Sequence, residues 1–386
     1  MNIEDVVVVG GGPVGLFLGL CLHHRGIPCT ILEQRTEIMS GSRSLGIHPV
    51  SLELFEKLGI EDPFLQAGLK VHRGHAHSGK KQLGTIDFTS CPPPYNFILL
   101  LAQSETERIL KEELLRVNPH SIIEGAEVTH LHQEAFYVQL EVNKEGETHS
   151  LETGYVVGCD GKHSFVRESA GIPFKGKRYP DTYLMGDFKD STPFGDDAVV
   201  YLPKDGLIEC FPLPNTMRRW VAKTPSYVEK PSPDQLSELI KQRIDVELDA
   251  STCTTYSSFG VQHYIADRFV VDRILLAGDA AHVVSPIGGQ GMNLGWLDAW
   301  HLANVMSFCR GRISIDLPLA DMFVYESKQK PMARKVARRA ELNMRMGRAS
   351  HFPWLKNQWV SLLTQSPLQK NIAEFFTMRG LESWWM

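Results

Sequence analysis

The sequence has no pair of cysteines at redox or metal-binding spacing. Its cysteines are Cys21, Cys29, Cys91, Cys159, Cys210, Cys253 and Cys309, odd in number and scattered, with no CxxC or CxxxxC among them. This argues against a zinc ribbon or a disulfide-exchange centre, and it suits a reducing, cytoplasmic compartment. A large excess of charge of one sign is also missing. A formal net charge of -5 gives no footprint for nucleic-acid binding. There is no internal repeat and no low-complexity tract. The first apolar run, Val6 to Leu22, has no basic region before it and is broken by Gly10-Gly11-Gly12-Pro13. It therefore reads as neither signal peptide nor membrane span. His72, His75 and His77 lie close together without an evident partner group elsewhere. A metal site needs convergent ligands, so a solvated loop is expected and no metal. A length of 386 residues suggests two to three structural units.

What is present begins at the N-terminus. Val6 to Val9 read as a buried strand, running into Gly10-Gly11-Gly12-Pro13-Val14-Gly15 and then a helix, Leu16 to His24. A second apolar run, Cys29 to Leu32, ends in Glu33. This βαβ pattern with GxGxxG is built for a dinucleotide. Gly10 permits the tight turn, Gly12 the close approach of a pyrophosphate, and Gly15 the packing of helix on strand. The helix N-terminus offers free amides and the positive end of its dipole to phosphates. Glu33 is placed to accept from ribose hydroxyls.

Two further turns repeat the theme. Ile274 to Ala277 is a buried strand that enters Gly278-Asp279, then Pro286-Ile287-Gly288-Gly289-Gln290-Gly291-Met292-Asn293 and a helix from about Leu294 to Cys309. Asp279 suits sugar-like hydroxyls, and the amides near Gly291 suit a polar or anionic ring edge. Between the two motifs, the strand Tyr155 to Gly158 ends in Cys159-Asp160-Gly161, followed by a helix with Arg167 in its first turn. Elsewhere, helices are expected at Val50–Leu58 and at about Ser104–Arg116, the latter opened by a Ser104/Glu107 capping box. A β-meander is expected over 136–157. Lys70 to Pro94 reads as short strands or a loop. The segment from Pro173 to Ala266 reads as an inserted antiparallel sheet with a helix at Pro233–Val246, hence a second domain.

Taken together, the three motifs resemble the FAD-dependent aromatic hydroxylases, the p-hydroxybenzoate hydroxylase-like group of flavoprotein monooxygenases. Smaller matches are Ser42-Arg43-Ser44, the Gln103, Glu107, Leu110 pattern, Phe211-Pro212-Leu213-Pro214, and Arg273 before the third motif. The resemblance covers about residues 4 to 331. It departs at Gln329, where relatives often carry Arg, and a C-terminal thioredoxin-like domain found in some relatives is not expected. The halogenase signature Trp-x-Trp-x-x-Ile-Pro is absent.

The resemblance implies an α/β fold: a Rossmann-like FAD-binding domain with an inserted antiparallel-sheet substrate domain and C-terminal helices. Its divisions would be 1–172 for the FAD-binding domain, with 71–100 contributing to the substrate side, 173–265 for the substrate sheet, and 266–386 for the return and the C-terminal helices. The implied FAD contacts are Gly10, Gly12, Pro13, Val14, Gly15, Glu33, Arg35, Arg43, Gln103, Val128, Asp160, Asp279, Gly289, Gly291, Met292 and Asn293. Arg43 and Pro286 are the expected catalytic positions, and Tyr183, Tyr201, Phe211 and Trp220 are candidates to line the substrate pocket.

The activity implied is hydroxylation of an aromatic or heteroaromatic compound through a flavin C4a-hydroperoxide. O2 is the oxidant, and NADH or NADPH is a transient co-substrate with no second dinucleotide fingerprint. Two rivals share the fold: a reductase of isoprenoid-type double bonds, and an FAD-fold binding protein without activity. No nucleic-acid partner and no transmembrane segment are expected. The basic run Lys328, Lys330, Arg334, Lys335, Arg338, Arg339, Arg345 and Arg348 reads as a solvated helix face. With Trp384-Trp385, it leaves peripheral membrane contact open. Substrate identity and oligomeric state are not legible.

Overall fold

Four valines and a glycine turn set the centre of the molecule. In the computed structural model, which describes residues 4–38, 44–310, 319–348, 357–358, 361–362, 364 and 369–379, Glu4–Val9 is a central parallel strand. It lies between Cys29–Glu33 and Glu147–Gly158. Ile274–Leu276 extends this sheet beyond Glu147–Gly158, and Ile122–Glu124 beyond Cys29–Glu33. Val6 to Val8 are almost wholly buried, as strands covered on both faces require. The covering helices are Pro13–His24, Gln103–Val117 and Gln290–Arg310. The meander is present as Ala126–Gln133, Val138–Lys144 and Glu147–Gly158.

The second large sheet has the order His282–Val283, Thr255–Ala266, Phe174–Lys189, Met217–Thr224, Ile208–Leu213, Ala198–Tyr201, Arg73–Ser78, Lys81–Asp87. Its last two strands come from the Lys70–Pro94 stretch. Arg73–Ser78 pairs in parallel with Ala198–Tyr201. The histidines expected in a loop therefore sit on or next to a strand, and His75 is held by Thr85 and Asp197, each at 3.0 Å. The long strand Thr255–Ala266 was not legible, because Ser257, Ser258, Gln262 and His263 interrupt its apolar alternation.

The inserted sheet has two unlike faces. The helix Pro233–Ile244, opened by a Ser232/Gln235 capping box, covers one of them. Leu184, Phe188, Val199, Tyr201, Ile208, Cys210, Trp220 and Ala222 pack there with Leu236, Ile240 and Ile244 of the helix. The other face looks toward the first sheet and carries Met185, Val200, Glu209, Phe211, Arg219 and Val221. Strand residues alternate between faces, so Trp220 and Tyr201 are turned away from the side that Phe211 and Val221 share.

Two other expectations change. The Ser104/Glu107 capping box does not form: the helix begins at Gln103, with Ala102 at the cap position and no side-chain cap. The basic run is not one solvated face. Arg339 is buried, Arg348 pairs with Asp181 at 2.6 Å, and Lys330 donates to the Asp267 carbonyl. Trp384-Trp385 lies outside the described residues. No helix among the described residues is long and apolar enough to cross a membrane.

The facing of the sheet predicts unequal costs. Trp220→Ala removes a ring that is 1% exposed and should lower the unfolding free energy by about 3–5 kcal/mol. Phe211→Ala, whose ring borders open space, should cost much less. Urea unfolding of both variants checks this, and equal losses would contradict the assigned facing.

Candidate functional site

The first glycine turn separates packing from binding. Gly10 has φ +106°, and a Cβ there would stand 2.5 Å from the Cys159 carbonyl oxygen; a Cβ at Gly15 would stand 1.9 Å from the Gly10 carbonyl oxygen. Both positions are closed by backbone. Gly12 is different: a Cβ there meets nothing within 4 Å, yet the residue borders a large cavity. Packing does not require that glycine, so the space in front of it is available to a ligand. Trp296 Nε1 donates to the Pro13 carbonyl at 3.0 Å and holds this turn against the helix Gln290–Arg310.

At one end of the cavity, Glu33 accepts from the Gly11 amide at 2.6 Å and from Arg35 N and Nε at 2.8 Å. Burial works against its carboxylate, but Arg35 and the Gly11 amide outweigh burial and hold it below the usual range. Arg35 Nη2 adds a longer fourth bond at 3.3 Å. The acceptor positions of the carboxylate, about four, are then taken, and a hydroxyl donor would compete with this weakest contact. Arg35 also approaches Glu107 at 3.8 Å, and Gln103 donates to Glu107 at 2.8 Å.

The other glycine loop ends at Gln290, earlier than the sequence suggests. Gly291, Met292 and Asn293 therefore lie in the first helical turn, where amides have no partner within the helix. The Asn293 side chain does not face the cavity. It accepts from the His48 amide (2.8 Å) and Ser51 Oγ (2.7 Å), and it donates to the carbonyls of Gly46 (2.8 Å) and Gly289 (2.9 Å). His48 lines the cavity beside Gly289, and burial pushes its imidazole down to about 4. It stays neutral, which leaves the helix dipole as the positive element at that edge.

Asp279 opens onto the cavity. The depth of the cleft raises its carboxyl, against the pull of His282 and Lys162. Behind it, Asp298 accepts from the Gly278 amide at 3.0 Å and from His282 Nε2 at 2.5 Å. Arg167 ties the second motif to the third: it donates to the carbonyls of Ala280 and Lys162, each at 3.1 Å, and lies 3.9 Å over the Phe174 ring. Asp160 accepts from the Val166 amide at 3.0 Å, while its other oxygen is buried with no partner among the described residues. Burial raises its carboxyl, although Ser164 and that amide oppose the rise.

These elements enclose one cavity of about 1320 Å³. Gly10, Gly12, Pro13, Val14, Glu33, Arg35, Gln103, Val128, Asp160, Asp279, Pro286, Gly289, Gly291 and Met292 all line it. Gly15 and Asn293 stand behind its wall. Arg43 lies outside the described residues. Past Pro286 the cavity continues under the inserted sheet. Of the four aromatics expected there, Phe211 alone lines it. Tyr201 and Trp220 are corrected to the core beneath the helix Pro233–Ile244, for the alternation reason above. Tyr183 faces the cavity side but is shut behind Phe259, with their rings stacked 5.4 Å apart.

Several groups were missed: His48, Asp298, Asn343 and, above all, Glu209. Glu209 lines the sheet side of the cavity, and burial pushes its carboxyl up to about 7. An acid between Ile208 and Cys210 was a signal in the sequence, since period 2 turns it away from the core those two residues enter.

Comparison with known proteins agrees with this geometry. The sequence profile of the family described as FAD binding domain matches residues 4–340. A rifampicin monooxygenase of Streptomyces venezuelae is 32% identical over 311 residues, 77% of this chain and 63% of that protein. An aromatic compound monooxygenase of Bacillus subtilis, itself uncharacterized, is 31% identical over 77% of this chain and 60% of its own length. The chain thus spans about three-fifths of these two curated relatives. The structure of an anhydrotetracycline hydroxylase from Streptomyces rimosus superposes with a TM-score of 0.81 at 26% identity, over 98% of this chain and 76% of that one. A p-nitrophenol 4-monooxygenase from Pseudomonas putida has the same fold, with a TM-score of 0.87 at 23% identity over 97% and 98% of the two chains.

The raised Glu209 carboxyl has a measurable sign. Folded, it holds its proton to about 7; unfolded, it releases it near 4.5. Between these values the folded state binds more protons, so stability falls as pH rises, by up to about 3 kcal/mol. Glu209→Gln should remove that slope. The melting temperature of the variant should gain on that of the native chain from pH 4.5 to 7 and then level off. A difference independent of pH refutes the shift.

Proposed function

The chain belongs to the FAD-binding-domain family, and from that premise we propose that it is an FAD-dependent monooxygenase. It would hydroxylate an aromatic or heteroaromatic small molecule at the expense of NADH or NADPH. The observation that carries this reading is the single cavity with two unlike arms. One arm is lined by Gly12, Glu33, Arg35, Asp160 and Asp279, and the other by the apolar face of the inserted sheet. They meet at Pro286 and the helix N-terminus. A dinucleotide fits the first arm because Gly12 is open, the helix amides are free and two carboxylates sit at sugar-binding positions. Relatives named for rifampicin and pentachlorophenol oxidation support an aromatic substrate in the second.

When bound, FAD supplies the oxygen-activating redox chemistry, which is not the protein's own. The overall balance is ring-H, O2, NAD(P)H and a proton giving ring-OH, water and NAD(P)+. The chain's residues bind and orient. Glu33 and Asp279 take hydroxyl donors of the cofactor. The amides of Gly291 and Met292 would stabilise negative charge at the ring edge, with the neutral His48 lining the cavity beside Gly289. Pro286 separates the two arms and faces the reacting centre. With one dinucleotide fingerprint in the chain, the nicotinamide binds transiently.

Two tests follow from these assignments. Asp279→Ala removes an acceptor of charge-assisted hydrogen bonds worth about 1.5–3 kcal/mol, so FAD affinity should fall roughly 10- to 150-fold. Titration of the folded apoprotein with FAD reads it, and unchanged affinity would leave Asp279 without a binding role. In turnover with labelled O2, the product should gain one labelled oxygen atom. Two added hydrogens without oxygen would instead establish the reductase reading.

A further inference from the structure

A histidine and an aspartate are shut together behind the first arm of the cavity. Both side chains are wholly buried, and His282 Nε2 lies 2.5 Å from Asp298 Oδ2. The same oxygen accepts from the Gly278 amide at 3.0 Å. Asp298 thus clamps both ends of the turn 278–282, and Asp279, between them, opens onto the cavity. Its other oxygen has no partner among the described residues. Burial opposes a charge on His282, but Asp298, through its field and its hydrogen bond, and Asp279 outweigh burial and strengthen its hold on a proton. The other groups packed here are engaged or neutral. The Tyr325 hydroxyl donates to the Leu276 carbonyl at 2.8 Å, and burial, with Asp160 and Asp298, keeps Cys159 a thiol. Arg167 donates to the carbonyls of Ala280 and Lys162, and Glu326 accepts from the amides of Phe269 and Val270. Lys162 acts on Asp279 from the exposed side.

The balance of charge decides what this arrangement does. With an imidazolium, two carboxylates share one cation. With a neutral imidazole, two like charges stand in one enclosed space, which favours protonation of one of them. A ligand that fills the cavity removes the water that Asp279 still meets, and so increases its need for a counter-charge. Resting on the proposed reading of this arm as an FAD site, we infer that His282 is a positioning residue for the cofactor: its imidazolium, held by Asp298, is the counter-charge that keeps Asp279 an ionised acceptor, and FAD binds together with that proton. The proton stays on the pair and is not passed to the cofactor. FAD binding and protonation of His282 support each other, as linked equilibria must. Affinity is therefore highest where His282 is charged, and it falls as pH rises through the point where the proton leaves.

The test dilutes FAD-loaded protein into buffers from about pH 6 to about pH 9.5, a range that spans a histidine with a strengthened hold on its proton. Released FAD is read by its fluorescence. The dissociation constant of the native protein should rise with pH, with a limiting slope of up to about tenfold per pH unit, the signature of one proton per FAD. His282→Gln keeps a donor for Asp298 but carries no charge. It should bind FAD about 10-fold more weakly near neutral pH, the scale of a charge-assisted hydrogen bond, and it should lose the slope. Asp279→Ala should lose the slope as well, because the carboxylate that needs the proton is gone. A merely structural His282 would weaken binding in the Gln variant and leave the slope in place. If that variant does not fold, the native slope and its loss in Asp279→Ala carry the test. A flat native profile, or a slope undiminished in either variant, overturns the assignment. Failure of the native chain to hold FAD at any pH would sink the monooxygenase reading itself, whereas FAD held with an affinity independent of pH sinks only the role of His282.

Discussion

The site depends on where one helix begins. Gln290–Arg310 is pinned within its first three turns by three side chains, each tied to a different piece of the chain. Asn293 holds the Gly46–Ser51 segment, Trp296 holds the Pro13 turn, and Asp298 holds Gly278 and His282. These bonds are buried, or nearly so, where hydrogen bonds are strong and their loss is costly. They bring two glycine turns, distant in sequence, to the walls of one cavity. The helix is thus a fixed source of partial positive charge aimed at the junction of the two arms. Arg167 adds a fourth tie, from the Asp160 turn to Ala280.

Much of this was legible in the sequence, for physical reasons. Val6–Val9 with Gly10, Gly12 and Gly15, and Glu33 after the next strand, can be read because each residue answers a steric or electrostatic demand made locally. The same holds for Gly278-Asp279 and the loop before Met292. What was not legible depends on partners far away in the chain. Asn293 reads as a ring-edge contact until Gly46 and Ser51 are beside it. Ser104 reads as a helix cap until Glu107 is seen to face Arg35 and to accept from Gln103.

The substrate sheet was the less readable half. Its aromatics invite a pocket assignment, but a strand places neighbouring residues on opposite faces, and a shift of one residue exchanges them. Trp220 and Tyr201 went to the helix-covered side because Ile208, Cys210 and Leu184 go there too. The polar residue at the opposite phase, Glu209, was overlooked because an acid in a strand reads as solvent-facing. Here the solvent side of that strand is the inside of a cavity.

The strand Arg73–Ser78 has a consequence for how this architecture can be taken apart. It comes more than a hundred residues before its parallel partner Ala198–Tyr201, and with Lys81–Asp87 it closes one side of the substrate sheet. The sheet is therefore stitched from three separate passages of the chain: Arg73–Asp87, Phe174–Ala266 and the short His282–Val283. Residues 173–266 moved alone into another flavoprotein would arrive with an open edge at Ala198–Tyr201, the kind of edge that invites aggregation. Ribosomal synthesis meets the same constraint, because the early hairpin must wait for the later strands. Recombination that respects this architecture carries all three passages together, and the unit of inheritance for substrate choice is discontinuous in the gene.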